Sequence, residues 1–223
     1  MIFFYHIITL GVLFLCLPFL PIVWMFSAKR RANLLQRLGL FTRIPKKEAN
    51  THRIWVHALS VGEVNSSLPL VTAFKKKYPT HHIIFTASTK TGFERALALM
   101  HPGRADSPVT TAGYFPFDIW FAVMRVASRI SPDLVCLVET DLWPGFLSVM
   151  HQRKIPVVLV NARLSPRSLK GYQCIGPLSK LFFSTLSCVL AQTRQDALGF
   201  EQLGVPGKRI QVTGNIKFDQ PCP

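Results

Sequence analysis

Short apolar segments alternate with amphipathic segments along most of this chain, and this alternation constrains the fold more than any other feature. The apolar segments are continuous runs, as expected for parallel strands that are covered on both faces. They lie at residues 54–58, 82–86, 134–138, 157–161 and 188–191, with weaker candidates at 112–115 and 209–213. Helical periodicity fills the intervals at residues 64–78, 92–100, 119–130, 143–154, 176–186 and 194–203. Repeated strand–helix units predict an α/β fold, a Rossmann-like doubly wound parallel sheet.

The N-terminal residues have a different character. Residues 2–28 contain no Asp, Glu, Lys or Arg, and a helix needs about 20 apolar residues to cross a bilayer. A cleavable signal peptide is the alternative, but no basic region precedes the apolar run and no small-residue cleavage site follows it. Lys29, Arg30 and Arg31 come directly afterwards, and such residues favour the cytoplasmic side. Residues 1–28 are therefore predicted to be an uncleaved, single-pass transmembrane anchor.

The rest of the chain divides by composition. Residues 29–52 form a basic connector, residues 53–219 carry the strand–helix pattern, and residues 220–223 follow it. The formal net charge is +15, which suits an anionic membrane, a phosphorylated substrate or nucleic acid. A nucleic-acid-binding protein would leave the acidic residues at the strand ends unexplained. The five cysteines show no CxxC spacing, which indicates neither a disulfide framework nor a zinc site.

Carboxylates follow two of the predicted strands. Glu63 lies in the sequence Ser60-Val-Gly62-Glu63 after the first strand, and Glu139 comes directly after the strand at 134–138, with Asp141 nearby. The carboxyl ends of parallel strands are where open α/β sheets bind ligands, so either glutamate is a candidate general base. Each acid is equally well explained as part of an ordinary helix start.

Basic and hydroxyl side chains follow other strands. Arg163 and Arg167 lie after the strand at 157–161, and an arginine fork matches phosphate or carboxylate oxygens, although it also serves to clamp helix ends. Lys217 follows the last candidate strand and offers a point charge to an anion. Thr89 belongs to a hydroxyl-rich loop that either binds a phosphate or sugar or caps the next helix. Three aromatic residues are expected in the core: Trp55, Phe115 and Trp143.

Six motifs together resemble one family. The sequences HALSVGE, FTASTKTGFERA, YFPFD, VETDLWP, NARLSPRS and VTGNIKFD are similar, in order and spacing, to the N-terminal half of bacterial 3-deoxy-D-manno-octulosonic acid (Kdo) transferases. The resemblance implies the N-terminal, acceptor-binding domain of a GT-B glycosyltransferase at the bacterial inner membrane, with its catalytic body on the cytoplasmic side. It implies transfer of Kdo from CMP-Kdo to a lipid A precursor in lipopolysaccharide synthesis.

The same resemblance assigns residue roles. It implies that Glu63 is the catalytic base, at the lip of a groove shared with Glu139 and Lys217, which stabilise the transition state. The residues expected to contact the acceptor are Ser60, Gly62, Thr89, Arg163 and Arg167. No metal or cofactor is expected, since no Asp-x-Asp pair is present to hold a nucleotide's Mg²⁺.

Two features depart from the family pattern. Asp141 stands where the family usually has glutamate, and the sequence ends at residue 223, where a donor-binding domain is expected to begin. Residues 220–223 are therefore interpreted as the start of a linker, and activity of this chain alone is left open. The alternative is a membrane-tethered, non-catalytic module that binds an anionic lipid or an envelope partner.

Overall fold

The computed structural model describes residues 11, 14–15, 18, 28–40, 44–48, 51–139 and 142–219, with the side chains of 28–32 and 219 left aside. The anchor predicted over residues 1–28 therefore lies almost wholly outside the described residues, as do Asp141 and the segment 220–223. Within the described ranges, no helix combines the length and apolarity that crossing a bilayer demands.

A parallel seven-stranded sheet forms the centre of the molecule, in the order β3-β2-β1-β4-β5-β6-β7. All six pairings between neighbouring strands are parallel. The strands are β1 (Arg53–Ala58), β2 (His82–Ala87), β3 (Thr111–Tyr114), β4 (Leu134–Val138), β5 (Val157–Ala162), β6 (Cys188–Ala191) and β7 (Ile210–Val212). The predicted Rossmann-like doubly wound sheet is confirmed, and each predicted strand is present to within two residues.

Helices connect the strands and cover both faces of the sheet. They are α1 (Ala28–Arg37), α2 (Val61–Lys77), α3 (Lys90–Met100), α4 (Trp120–Ile130), α5 (Pro144–Gln152), α6 (Pro166–Cys174), α7 (Pro177–Phe183) and α8 (Arg194–Gln202). Single 3-10 turns occur at Gly207–Arg209 and Ile216–Asp219. Helix α2 begins three residues earlier than predicted, so Glu63 belongs to its first turn. Helices α1 and α6 were not predicted.

The core consists of two clusters, one on each face of the sheet. Successive strand residues point to opposite faces, so Trp55 and Leu137 belong to one cluster while Val56 and Cys136 belong to the other. Burial raises the pKa of the Cys136 thiol to about 12. Both faces of the sheet are therefore shielded from solvent, which explains why the strands are continuous apolar runs in the sequence.

Helix α1 is fixed to the carboxyl edge of the sheet. The guanidinium group of Arg37 donates a hydrogen bond to the carbonyl of Ser88, which follows β2. Its Cζ atom lies 5.0 Å from the ring centroid of Phe117, beyond the end of β3. Gly39 lies two residues after α1, and its carbonyl accepts a hydrogen bond from the guanidinium group of Arg129. The end of the basic connector nearest the N-terminus is thus part of the folded domain.

A buried arginine holds the rest of the connector at the opposite, amino edge. Arg53 is fully buried, and its guanidinium group donates to the carbonyl of Ile130, at 2.8 Å, and to that of Pro45. Burial lowers the pKa of Arg53, and the charge of Asp133 partly restores it. Lys47 lies 2.7 Å from Asp133 in the same region. The connector therefore spans from one edge of the sheet to the other.

Candidate active site

The crevice at the carboxyl edge lies between β1 and β4. From β1 the chain proceeds outward through β2 to β3, whereas β4 leads outward through β5 and β6 to β7. Open α/β sheets bind ligands at the point where the strand order reverses in this way. The loop after β1 carries Glu63 and the loop after β4 carries Glu139, so the two candidate carboxylates border this crevice.

Glu63 lies in the first turn of α2 and is 7% exposed. One carboxylate oxygen accepts a hydrogen bond from the backbone N–H of Leu59 at 2.6 Å, and the other accepts from the hydroxyl of Ser60 at 3.3 Å. These donors orient the carboxylate toward the turn before α2, so Glu63 does stabilise the N-terminus of this helix. Its burial departs from the expectation of an open carboxylate at the lip of the groove. Gly62, one residue before it, is exposed.

Glu139 and Lys217 form an ion pair on the β4 side of the crevice. The Nζ atom of Lys217 lies 3.2 Å from Oε1 of Glu139, with side-chain exposures of 48% and 23%. Glu139 adopts a left-handed backbone conformation, with φ of +61°. An ion pair this exposed contributes only about 0–1 kcal/mol to stability. Its geometry therefore matters more for the charge it presents than for holding the fold together.

The segment that carries Lys217 is attached to the end of β5. Asn161 is 1% exposed, and its side-chain oxygen accepts a hydrogen bond from the backbone N–H of Ile216 at 3.2 Å. The 3-10 turn Ile216–Asp219 also packs against α2, the helix that contains Glu63. Lys217 therefore stands on a segment that contacts both the β5 loop and the helix of the candidate base.

The other residues predicted to bind the acceptor lie at the same edge. Ser60 is the N-cap residue of α2, and Thr89 is the N-cap of α3, where its hydroxyl accepts from the backbone N–H of Gly92 at 3.0 Å. Arg163 lies in the loop after β5, and Arg167 lies in the first turn of α6; both are exposed. The hydroxyl-rich loop thus caps a helix, as one of its two interpretations requires.

Three residues at this edge were not predicted to belong to the site: Asp118, Trp143 and Arg37. Asp118 accepts hydrogen bonds from the backbone N–H groups of Gly145 at 2.9 Å and Phe146 at 2.6 Å, and so caps α5. Trp143 was expected in the core, but it is 39% exposed because it precedes α5 at the rim of the crevice. Arg37 was assigned only to a basic connector. No local pattern marks Asp118 as a cap, because its partners lie 27 and 28 residues further along.

The described residues contain no group of three or more His, Cys, Asp or Glu side chains suitably arranged to hold a metal ion. What they do offer is a buried, oriented carboxylate, a partly exposed ion pair and several hydroxyl and guanidinium groups. These groups suit proton transfer and binding of an anionic, hydroxyl-bearing ligand.

Several solved structures have a similar fold. The UDP-GlcNAc 2-epimerase of Neisseria meningitidis, bound to UDP-GlcNAc, superposes with a TM-score of 0.54 at 16% identity, over 75% of this chain and 48% of the epimerase. The Staphylococcus aureus MnaA–UDP structure gives a TM-score of 0.56 at 16% identity, over 75% and 46% of the two chains. At these identities the similarity establishes the fold class, of the Rossmann-like type found in GT-B glycosyltransferases, and nothing finer.

Sequence relatives are more specific. The 3-deoxy-D-manno-octulosonic acid transferase of Haemophilus influenzae is 34% identical over 219 residues, which are 97% of this chain and 49% of that protein. The enzyme of the same name from Chlamydophila psittaci is 36% identical over 163 residues, or 73% and 36% of the two chains. The chain thus spans about half the length of the first of these relatives. The family model described as 3-deoxy-D-manno-octulosonic-acid transferase (kdotransferase) matches residues 32–220. The resemblance is confirmed, and the chain belongs to the Kdo transferase family.

Proposed function

We propose that this chain is the acceptor-binding part of an inverting glycosyltransferase that moves Kdo from CMP-Kdo to a lipid A precursor in lipopolysaccharide synthesis. The donor would bind to a second Rossmann-like domain, which completes the GT-B architecture. The observation that carries the proposal is the arrangement at the crevice: an oriented carboxylate on one side and the Glu139–Lys217 pair on the other. Membership of the Kdo transferase family indicates that the transferred sugar is Kdo.

In the proposed reaction, Glu63 accepts the proton of a primary hydroxyl group on the acceptor. The hydroxyl oxygen then forms a bond to the anomeric carbon of Kdo, while the bond from that carbon to the CMP phosphate breaks on the opposite face. CMP leaves with the electron pair, and the configuration inverts. Lys217 stabilises the negative charge that develops, and Glu139 orients Lys217 through their 3.2 Å contact.

Exposed and half-buried polar groups around the crevice would bind the acceptor. Ser60 and Thr89 offer hydroxyl groups, and Arg163 and Arg167 offer guanidinium forks for phosphate. Gly62 is exposed, and a methyl group built on it would meet only the Ser60 hydroxyl, at 3.9 Å. The backbone there leaves room for a ligand to approach.

We further propose that residues 1–28 anchor the protein in the bacterial inner membrane, with the sheet on the cytoplasmic side. The basic residues that follow, which begin at Lys29, would meet anionic head groups at about 1 kcal/mol for each residue near the surface. This arrangement would bring the crevice to an acceptor that is itself a membrane lipid.

Replacing Glu63 with Gln tests the base. The amide still accepts from the Leu59 N–H but cannot take a proton, so kcat for Kdo transfer should fall about 10²–10⁴-fold while the melting temperature changes little. The assay uses the full-length protein with CMP-Kdo and a lipid A precursor. Glu201→Gln, an exposed change on α8, is the matched control. Unchanged turnover in Glu63→Gln would remove this residue from the role of base.

A membrane-tethered binding module is the second candidate, and the burial of Glu63 favours it. A carboxylate that is 7% exposed and bonded to two donors is well explained as a fastening of the helix start. Such a module would bind the acceptor lipid but show no transfer in the assay above, with either wild-type or substituted protein.

A further inference from the structure

Two cavities lie beside the loop of the proposed base. The first, of about 300 Å³, is bordered by Leu59, Thr89 and Trp143. The second, of about 280 Å³, is bordered by Lys90 and Tyr114. Three residues line both cavities: Arg37, Ser88 and Phe117. The cavities are therefore adjacent, and we refer to the pair as a two-lobed groove between α1 and the carboxyl edge of the sheet.

We propose that this groove binds a phosphorylated sugar, with the sugar ring in the Trp143 lobe and the phosphate in the Lys90 lobe. The inference rests on the proposed function, because it identifies the groove as the binding site for the acceptor's sugar phosphate. Its combined size is within the range of ordinary small-molecule sites, which begin near 300 Å³.

The Trp143 lobe has the chemistry of a sugar site. Apolar side chains line most of it, together with four polar residues: Arg37, Ser88, Thr89 and Asp118. The Asp118 carboxylate is already bonded to the first N–H groups of α5. The C–H faces of a sugar ring pack on an indole ring, while its hydroxyl groups need a few polar partners. Trp143 is 39% exposed. An exposed tryptophan in a concave wall is poorly explained by folding alone, since burial would stabilise it further.

The Lys90 lobe is positively charged. Arg37 lies over the rings of Tyr114 and Phe117, with its Cζ atom 5.8 and 5.0 Å from the two centroids. Lys90 is the first residue of α3, and the N-terminus of an 11-residue helix favours an anion. Glu94 lies 3.4 Å from Lys90 and offsets part of this charge. Two basic residues and one acid leave the lobe cationic.

The groove is joined directly to the proposed base. Leu59 forms part of the wall of the first lobe, and its backbone N–H bonds to the Glu63 carboxylate at 2.6 Å. The groove is built from α1 and from the loops after β1, β2, β3 and β4, whereas the Glu139–Lys217 pair comes from the segments directly after β4 and β7. The loop that holds the Glu63 carboxylate therefore borders the proposed sugar site, as transfer to a bound acceptor requires.

Isothermal titration calorimetry on the full-length protein tests the groove. The probes are a glucosamine disaccharide bisphosphate without acyl chains and the same disaccharide without phosphates. Trp143→Leu should weaken binding of both probes about tenfold. Trp143→Phe should retain most of the wild-type affinity. Trp120→Leu is the matched control, because Trp120 is 45% exposed and does not border either lobe.

The phosphate lobe has its own test. Lys90→Met should weaken binding of the bisphosphate about tenfold and leave the phosphate-free disaccharide unaffected. Lys170→Met, an exposed change on α6, should change neither. Equal affinities in wild type, Trp143→Leu and Lys90→Met would overturn the inference.

Binding of the probes and transfer of Kdo are measured independently, so the two proposals can fail separately. If the wild-type protein transfers Kdo but the groove variants bind the probes normally, the inference is wrong and the proposed function stands. If the wild-type protein transfers no Kdo, the proposed function is wrong, and the titrations still decide whether the groove binds a phosphorylated sugar.

Discussion

Two neighbouring strands end in residues with an unfavourable backbone. Glu139 after β4 and Asn161 in β5 have φ angles of +61° and +55°. The left-handed region costs most residues other than glycine about 1–2 kcal/mol, and asparagine less, because its short polar side chain can hydrogen-bond locally. Glycine would avoid this cost, so the side chains at both positions have a use. The carboxylate of Glu139 meets Lys217, and the side-chain oxygen of Asn161 holds Ile216.

Substitutions at Asn161 separate the backbone strain from the side-chain contact. Asn161→Gly and Asn161→Ala both remove the acceptor for the Ile216 N–H, but only alanine also pays for the left-handed conformation. We expect the alanine variant to be less stable than the glycine variant by about 1 kcal/mol in urea denaturation.

Hydrogen exchange provides the second measurement for these variants. The amide of Ile216 should lose protection in both of them, because its acceptor is gone. An alanine variant as stable as the glycine variant, or normal protection of Ile216, would contradict this account of Asn161.

At the level of elements, helix α5 depends on a partner distant in sequence. Asp118 bonds to the first two free N–H groups of the helix, at Gly145 and Phe146. A methyl group added at Gly145 would lie 2.7 Å from Oδ1 of Asp118, which is closer than atoms can approach. The glycine and the aspartate are therefore required together, and the loop that carries Trp143 is fixed by this contact.

A double-mutant cycle tests this dependence. Asp118→Ala should lower the free energy of unfolding by about 1–2 kcal/mol through loss of the cap. Gly145→Ala should destabilise the wild-type protein because of the clash, yet stabilise the Asp118→Ala variant by up to about 1 kcal/mol through helix propensity.

The control for this cycle is Asp106→Ala, an exposed change in the loop after α3, which should be close to neutral. A Gly145→Ala effect of the same sign and size in both backgrounds would refute the clash.

The unpredicted helices have identifiable causes. Helix α6 contains no buried residue, so no apolar periodicity marks it in the sequence. Helix α1 directly follows the apolar N-terminal run and is rich in basic residues, which together obscure its own pattern. The strands were predictable because both of their faces are buried. Trp143 was assigned to the core on side-chain type alone, and only the tertiary position of α5 shows it at a rim.

At the scale of the whole molecule, Asp133 couples the connector to the sheet. Its carboxylate accepts from Lys47 Nζ and from the backbone N–H of Arg53, both at 2.7 Å. Burial alone would raise the pKa of Asp133, but these two donors and the charges of Lys47 and His52 outweigh it and hold the pKa below its ordinary value. Asp133 is therefore bonded to two residues that lie 80 and 86 positions before it in the sequence, Arg53 and Lys47.

This pKa shift predicts how stability depends on pH. The folded-state pKa is below that of the unfolded chain, about 3.9, so Asp133 stabilises the fold above that pH. Its contribution is lost as the pH falls through the folded pKa. Asp133→Asn should therefore cost about 1 kcal/mol at pH 7, and the difference from wild type should shrink below about pH 4. Urea denaturation from pH 3 to 8 measures it, with Asp106→Asn as the control. A difference that stays constant with pH would contradict the assignment.

The site could be predicted in part because of one general property of parallel sheets. Glu63, Glu139 and Lys217 all follow strands, and their position at the same edge of the sheet requires only that all the strands point the same way. The groove beside them could not be predicted in this manner. It needs Arg37 from a helix that precedes the sheet, and nothing in the local sequence places that helix at the carboxyl edge.

The attachment of α1 to that edge has a consequence for distance. A helix rises about 1.5 Å per residue, so Arg37 lies only about 14 Å along the axis from Ala28. With the preceding residues embedded in lipid as proposed, the opening of the groove would lie at most about 14 Å from the hydrocarbon boundary, which is about two head-group depths. A glycolipid would then present its sugars to the groove while its acyl chains stay in the leaflet. A rigid spacer inserted ahead of Ala28 would move the opening of the groove away from the membrane.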